Sequence, residues 1–231
     1  MMGNIAMSHP AHQKHKGFSL VEMAVVLAIV GLLMAGLLPM ISGQMEQQRR
    51  SETRKTMEEI RNALVGFATS QSPPRLPCPA APALATGANG AGVENCGLST
   101  GVLPWVTLGT SETDAWQRRF TYSVASSVTG AFGTSFTLAS VGNLNVLSVA
   151  AGTAVASGVP AVLVSHGVDG AGAYTPQGSQ LNASADLDQA DNSNGGLTFV
   201  SHEQSETYDD HVVWISPHTL FNRMVAAGKL P

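Results

Sequence analysis

Charge is scarce in this chain. Only 12% of its 231 residues are Asp, Glu, Lys or Arg. No basic patch and no interleaving of basic and aromatic residues follows Arg61, so no nucleic acid is expected among its partners. Cysteine is nearly absent as well. Cys78 and Cys96 stand alone, without a Cys-x-x-Cys or a histidine cluster, which removes the common zinc frameworks. The signatures of hydrolytic and phosphate chemistry are missing: no Gly-x-Ser-x-Gly, no His-Glu-x-x-His and no phosphate loop. Ser165 and His166 are adjacent, and neighbours in a strand point to opposite faces, so they form no dyad with each other. His202, His211 and His218 are scattered. An enzyme is therefore not expected. What remains is a weakly charged surface rich in Gly, Ala, Ser and Thr, suited to close contact with copies of itself or with other proteins.

The information is concentrated at the amino terminus. A short leader carrying Lys14 and Lys16 ends at Gly17, and an apolar run from Phe18 to Ile41 follows, charged only at Glu22. About 20 apolar residues suffice to span a bilayer. An ordinary secretory signal has an apolar run of about 7–15 residues and a small-residue cut after it; this run is longer, contains Glu22 and lacks a clear Ala-x-Ala site before Gln44. A plain anchor accounts for the length but not for Glu22 or Gly17. A carboxylate in such a segment costs roughly 2.5–3.5 kcal/mol even on permissive insertion scales. A new α-amino group on Phe18, made by cutting after Gly17, would supply its partner. Lys14 and Lys16 orient the segment with the leader in the cytoplasm. Met1, Met2 and Met7 are all candidate starts. Loss of the two leader lysines reduces 12 basic residues to 10 against 16 acidic ones, a net charge of −6.

The run Lys14-His15-Lys16-Gly17-Phe18-Ser19-Leu20-Val21-Glu22 resembles the amino terminus of the type IV pilin and type II secretion pseudopilin family. In that family a membrane-embedded peptidase cuts after the glycine and methylates the new amine, and a glutamate stands five residues into the mature chain, where this sequence has Glu22. Gly31 and Pro39 fall where such chains carry a flexible glycine and a proline. The resemblance implies an α+β fold, with a long amino-terminal helix laid on a small antiparallel sheet and a short carboxy-terminal helix. It implies a leader over 1–17, a transmembrane or filament-core helix over 18–42, an amphipathic continuation over 43–72 and a globular domain over 73–231. The implied partners are other pilin or pseudopilin subunits, a prepilin peptidase, an inner-membrane assembly platform and, before assembly, membrane lipid. The implied location is the bacterial inner membrane, carboxy terminus in the periplasm, and then a pilus or pseudopilus. The size of the domain suits a minor subunit. An anchored periplasmic binding or adhesion module that never polymerises is the alternative.

Beyond the apolar run, Met57, Ile60, Leu64 and Phe67 recur at helical spacing. One helix is predicted from near Phe18 to about Ser70, roughly 80 Å if straight, with Pro39 loosening it. Residues 73–104 read as a Pro- and Gly-rich loop holding both cysteines. In an oxidising compartment a Cys78–Cys96 disulfide is expected, stabilising by roughly 3 kcal/mol. Asp114-Ala115-Trp116-Gln117 resembles a family segment that has glycine at the fourth position, so the turn at Gln117 is open. Trp105 and Trp116 read as core or loop anchors. Strands are predicted at Phe120–Ala125, Ser135–Ser140, Asn145–Ala150, Ala161–His166, Leu197–Val200 and His211–Ile215, and Ala150–Gly158 as an exposed loop. Ser216, Pro217 and Gly228 bracket a last helix. Asp169, Asp186, Asp188, Asp191, Asp209 and Asp210 are possible calcium ligands, Gly167-Val168-Asp169-Gly170 looking somewhat like the turn of calcium-binding pseudopilins. Solvated turns capped by Asp are the other reading of the same residues.

Overall fold

The computed structural model describes residues 17–127 and 130–231; inside α1 the side chains of 36–42 are not described. In chain order the elements are α1 (Leu20–Ser70), β1 (Thr100–Val102), α2 (Trp105–Leu108), β2 (Thr121–Val124), β3 (Ser126–Ser127), β4 (Gly130–Ala131), β5 (Leu144–Leu147), β6 (Ala154–Val159), β7 (Ala161–Ser165), α3 (Leu187–Ser193), β8 (Thr198–Val200), β9 (His211–Ile215) and α4 (Pro217–Ala226). The chain divides into two compact units, Met1–Glu46 and Gln47–Pro231.

In the larger unit the principal sheet runs β1-β2-β7-β9, antiparallel throughout. β7 is central, and all five of its residues are buried. A second sheet runs β6-β5-β8, with β5 and β8 parallel. Met57, Ile60, Leu64 and Ala68 form the buried stripe of α1 and share one core with Tyr122, Leu163, Leu220 and Met224. Fully burying an aliphatic side chain of this size is worth roughly 1.5–3 kcal/mol. Phe67 falls just off the stripe and carries the Arg75 guanidinium 5.0 Å from its ring centre. The fold is α+β, as the sequence indicates.

The loop of residues 73–104 is held from three sides. Cys78 and Cys96 form a disulfide. Arg75 makes two 2.8 Å bonds to Glu94, whose carboxyl is held below its usual range, first by that hydrogen bond. Arg119 is fully buried and spends all its donors on this loop and its surroundings. Nε donates to Glu112 at 2.8 Å, Nη1 to Pro82 O and Leu84 O at 3.0 and 2.7 Å, and Nη2 to Thr86 Oγ1 and Pro176 O at 3.1 Å each. Its Cζ lies 4.7 Å from the Trp105 ring centre, and Trp105 belongs to the buried core, the anchor expected of it.

The turn left open at Gln117 adopts the glycine conformation without a glycine: Gln117 has φ 65°. Asp114 builds the turn by accepting from the Trp116 and Arg118 amides at 2.9 and 3.0 Å. Thr53 of α1 docks on it, accepting from the Ala115 amide at 3.2 Å. A side chain in this region costs of order 1 kcal/mol, while glycine costs somewhat less than that in unfolded-state entropy. Gln117→Gly is therefore expected to raise stability by about 0.5 kcal/mol, read as a higher urea midpoint at unchanged slope. A lower midpoint would contradict the strain.

Three local expectations are corrected. Ser135–Ser140 is not a strand. It turns so that Phe136 stacks on Phe132, with ring centres 5.1 Å apart. Ala150–Gly158 is not simply an exposed loop, because Ala154–Val159 pairs with β5 as β6; pairing overrides its weak propensity. The acidic stretch Leu187–Ser193 is the helix α3, capped by Asp186 accepting from the Asp188 amide.

Candidate functional site

Gly17 and Phe18 precede the first helical turn, in backbone with no regular structure. Both are exposed, Phe18 at 77%. Ser19 starts the helix. Its Oγ accepts from the Glu22 amide at 3.1 Å, and Glu22 Oε2 accepts in return from the Ser19 amide at 3.5 Å. This is a reciprocal capping box, and it places the Glu22 carboxylate at the positive end of the helix. The peptide bond between Gly17 and Phe18 is thus left outside the helical hydrogen-bond ladder. Ser-x-x-Glu before an apolar run is a readable signal for Ser19, which the sequence reasoning passed over.

The first described turns of α1 show apolar side chains on every side. Leu20 is 88% exposed, Leu27 68% and Leu32 77%. A helix apolar all round requires lipid or other helices around it. A Cβ on Gly31 would meet nothing within 4 Å among the described residues. α1 is assigned as helix through Pro39, whose ring lies outside the described side chains. Among the described residues no helix is long and apolar enough to cross a membrane. The span expected over 18–42 includes 36–42, whose side chains lie outside that description.

Such a start, a capped apolar helix behind an accessible Gly–Phe bond, joined in sequence to an α+β domain with a short carboxy-terminal helix, is consistent with a pilin-like fold. Residues 12–38 match the family described as Prokaryotic N-terminal methylation motif, so the chain carries a prepilin-type processing motif and is type IV pilin- or pseudopilin-like. No curated protein matches the chain, and no solved structure does.

The six aspartates of the calcium reading are not all gathered at one point. Asp209 lies at the Gly167–Gly170 turn, where Oδ2 accepts from the Val168 and Asp169 amides at 2.6 and 2.9 Å. Gln189 of α3 bridges Asp169 and Asp209. Asp186 caps α3. Asp188 accepts from the Ala150 amide and meets His202 Nε2 at 2.9 Å. Asp191 accepts from Asn194. Asp210 is buried and accepts from Asn192 at 2.8 Å. Among the described residues, the one set whose ligand atoms cluster within metal-binding distance is Cys78, Glu94 and Cys96, and its cysteines are bonded to each other.

Ser165 and His166 are both buried on β7 and just past it, and they point to different partners. Ser165 donates to Asp114 at 2.7 Å, and His166 Nε2 meets Thr121 Oγ1 at 2.8 Å. His166 Nδ1 and Asp210 Oδ1 stand 3.8 Å apart, and neither has a hydrogen-bond partner among the described residues. Burial pushes Asp210 up to about 8 and His166 down to about 4, so at neutral pH the two are uncharged rather than an ion pair. The signs can be followed. Asp210, normally 3.8, keeps its proton in the folded state while the unfolded chain releases it, so its contribution falls as pH rises toward 8. His166, normally 6.5, takes up a proton first in the unfolded chain, so its contribution rises from pH 4 to 6.5. The two oppose each other below pH 6.5. Between about pH 6.5 and 8 only the Asp210 loss remains, at most about 2 kcal/mol. Asp210→Asn is expected to flatten that part of the stability profile, measured by urea unfolding. An unchanged slope in the variant would show that Asp210 does not titrate there.

Proposed function

We propose that this protein is a structural subunit, a minor one, of a type IV pilus or a type II secretion pseudopilus. It is held in the bacterial inner membrane by residues 18–42, processed after Gly17 by a prepilin peptidase, and passed by an assembly platform into a filament of related subunits. The observation that carries this reading is the conjunction of an exposed Gly17–Phe18 bond with an apolar run, Phe18 to Ile41, whose one charge is Glu22. Filament cores bury such helices away from water at about 25 cal/mol per Å². Lipid offers much the same, so packing and charge pairing set the register.

No catalytic role is proposed. Ser165 and His166 lie buried and committed to Asp114 and Thr121. No structural calcium is proposed either, since most of the candidate carboxylates serve backbone amides or side-chain amides. The melting temperature is expected to agree within about 1 °C in calcium and in chelator. A rise of several degrees with calcium would reverse this part of the proposal.

The test is incorporation. In cells with a complete assembly system the protein should appear in sheared surface filaments or periplasmic pseudopili, and it should leave that fraction when the assembly ATPase is deleted. Retention in the membrane under both conditions would favour an anchored binding or adhesion module.

A further inference from the structure

A pocket of about 440 Å³ opens where the loop before β1, the strands β1 and β2, the turns of residues 172–180 and the end of α3 meet. Among the described residues no Asp, Glu, Lys, Arg or His lines it. Thr100, Thr121 and Ser193 bring hydroxyls, Gln180 and Asn194 bring side-chain amides, and Tyr174 brings a ring. These groups are anchored from behind. Thr121 Oγ1 stands 2.8 Å from Nε2 of the buried His166, and Thr100 Oγ1 accepts from Ser123 at 2.9 Å. Tyr174 donates its hydroxyl proton to Gln180 Oε1 at 3.2 Å, and Gln180 Nε2 donates to Gly172 O at 3.0 Å. Asn194 donates to Asp191 at 3.2 Å. None of these bonds exhausts its group, because a hydroxyl both donates and accepts and an amide nitrogen carries two protons. Gly172, at φ 78°, lets two walls of the pocket meet, since a Cβ there would collide with Ser193.

We propose that this pocket binds a neutral sugar, either a single pyranose ring or the end of an uncharged oligosaccharide. The lining selects that class by what it offers and by what it withholds. A phosphate, carboxylate or ammonium would lose its water there without meeting an opposite charge. A lipid tail would cover the hydroxyls and amides and leave their bonds unmade. A sugar carries no charge, its closely spaced hydroxyls both donate and accept, and the apolar face of its ring suits the face of Tyr174. The volume lies within the roughly 300–1,000 Å³ of small-molecule sites. The bonds at the back of the lining fix its polar groups before a ligand arrives, which lowers the ordering cost of binding. The pocket belongs to the globular domain and gives the subunit a ligand, a role separate from processing and assembly.

The experiment uses the full chain in a zwitterionic detergent, because sugar-headed detergents would compete. Saturation-transfer NMR is run with methyl glucoside, methyl galactoside, methyl mannoside, N-acetylglucosamine, maltose and cellobiose, and with adenosine, glucuronic acid and glucose 6-phosphate as contrasts. At least one neutral sugar is expected to bind at least tenfold more tightly than each contrast. Ser99→Trp, at an exposed lining position, puts a ring into the pocket. Gln180→Ala, also exposed, removes an amide. Each should raise the dissociation constant for that sugar at least tenfold at an unchanged urea midpoint, whereas Leu138→Ser, exposed outside the lining, should leave it unchanged. Silence from every neutral sugar, tighter binding of adenosine or of a charged probe, or an affinity that survives Ser99→Trp in the folded protein would overturn the proposal. Binding is read on the unassembled chain, so its outcome is separate from that of filament incorporation.

Discussion

Glu22→Ala is expected to reach the membrane at normal levels and to vanish from filaments, falling at least tenfold in the sheared fraction. Removing the carboxylate relieves an insertion penalty of roughly 2.5–3.5 kcal/mol, so targeting should not suffer. Two things are lost. One is the capping bond back to the Ser19 amide, worth about 1 kcal/mol in a helix start. The other is the negative charge that, under the proposed function, pairs with the amine created on Phe18. Glu22→Gln separates them, because glutamine also completes a capping box but carries no charge. If pairing with the new amine sets the register, Glu22→Gln fails in assembly like the alanine. Normal incorporation of either variant would remove charge pairing from the account. A pairing worth even 1.4 kcal/mol per subunit corresponds to a tenfold preference for the correct register.

Arg119→Ala is expected to be the most damaging change in the globular domain, at about 3–5 kcal/mol. That is a large share of the 5–15 kcal/mol typical of a whole domain. The reason lies in what stays behind. Glu112 loses its 2.8 Å partner, and the carbonyls of Pro82, Leu84 and Pro176 lose a charged donor. Trp105 loses the cation stacked on its ring. Arg119→Lys should recover little, since an ammonium has three donors and no plane to stack. Urea unfolding of the full chain in detergent reads both variants. A loss below 1 kcal/mol for the alanine would mean that the disulfide and the Arg75–Glu94 pair hold the loop alone.

The elements legible in the sequence were those whose signal is local. The apolar run and the Met57-Ile60-Leu64 spacing marked α1, and β9 and α4 were readable from a Val-rich run and a Ser-Pro start. Both cysteines also paired as their context required. The misses share a cause: a distant partner decided the structure. β6 exists because β5 pairs with it, although Ala, Ser and Gly are poor strand formers. β1 lies in a loop-like stretch and forms where Gly101 lets Ala80 approach; a Cβ there would meet Ala80 O at 2.4 Å. Phe136 reads as part of a strand but turns inward to join Phe132. Two local signals were readable and unread: Ser19 with Glu22, and Asp186 with Gln189 three residues on, each the start of a helix. The Asp169–Asp210 region looked like one site because its acids are close in sequence. The fold sends them to a turn, a helix cap and a buried contact.

The most direct test is the mass of the amino-terminal peptide from protein isolated out of cells that contain a prepilin peptidase. The account predicts that the chain begins at Phe18 and that its amine carries a methyl group. A chain that still holds residues before Gly17 in such cells would contradict it.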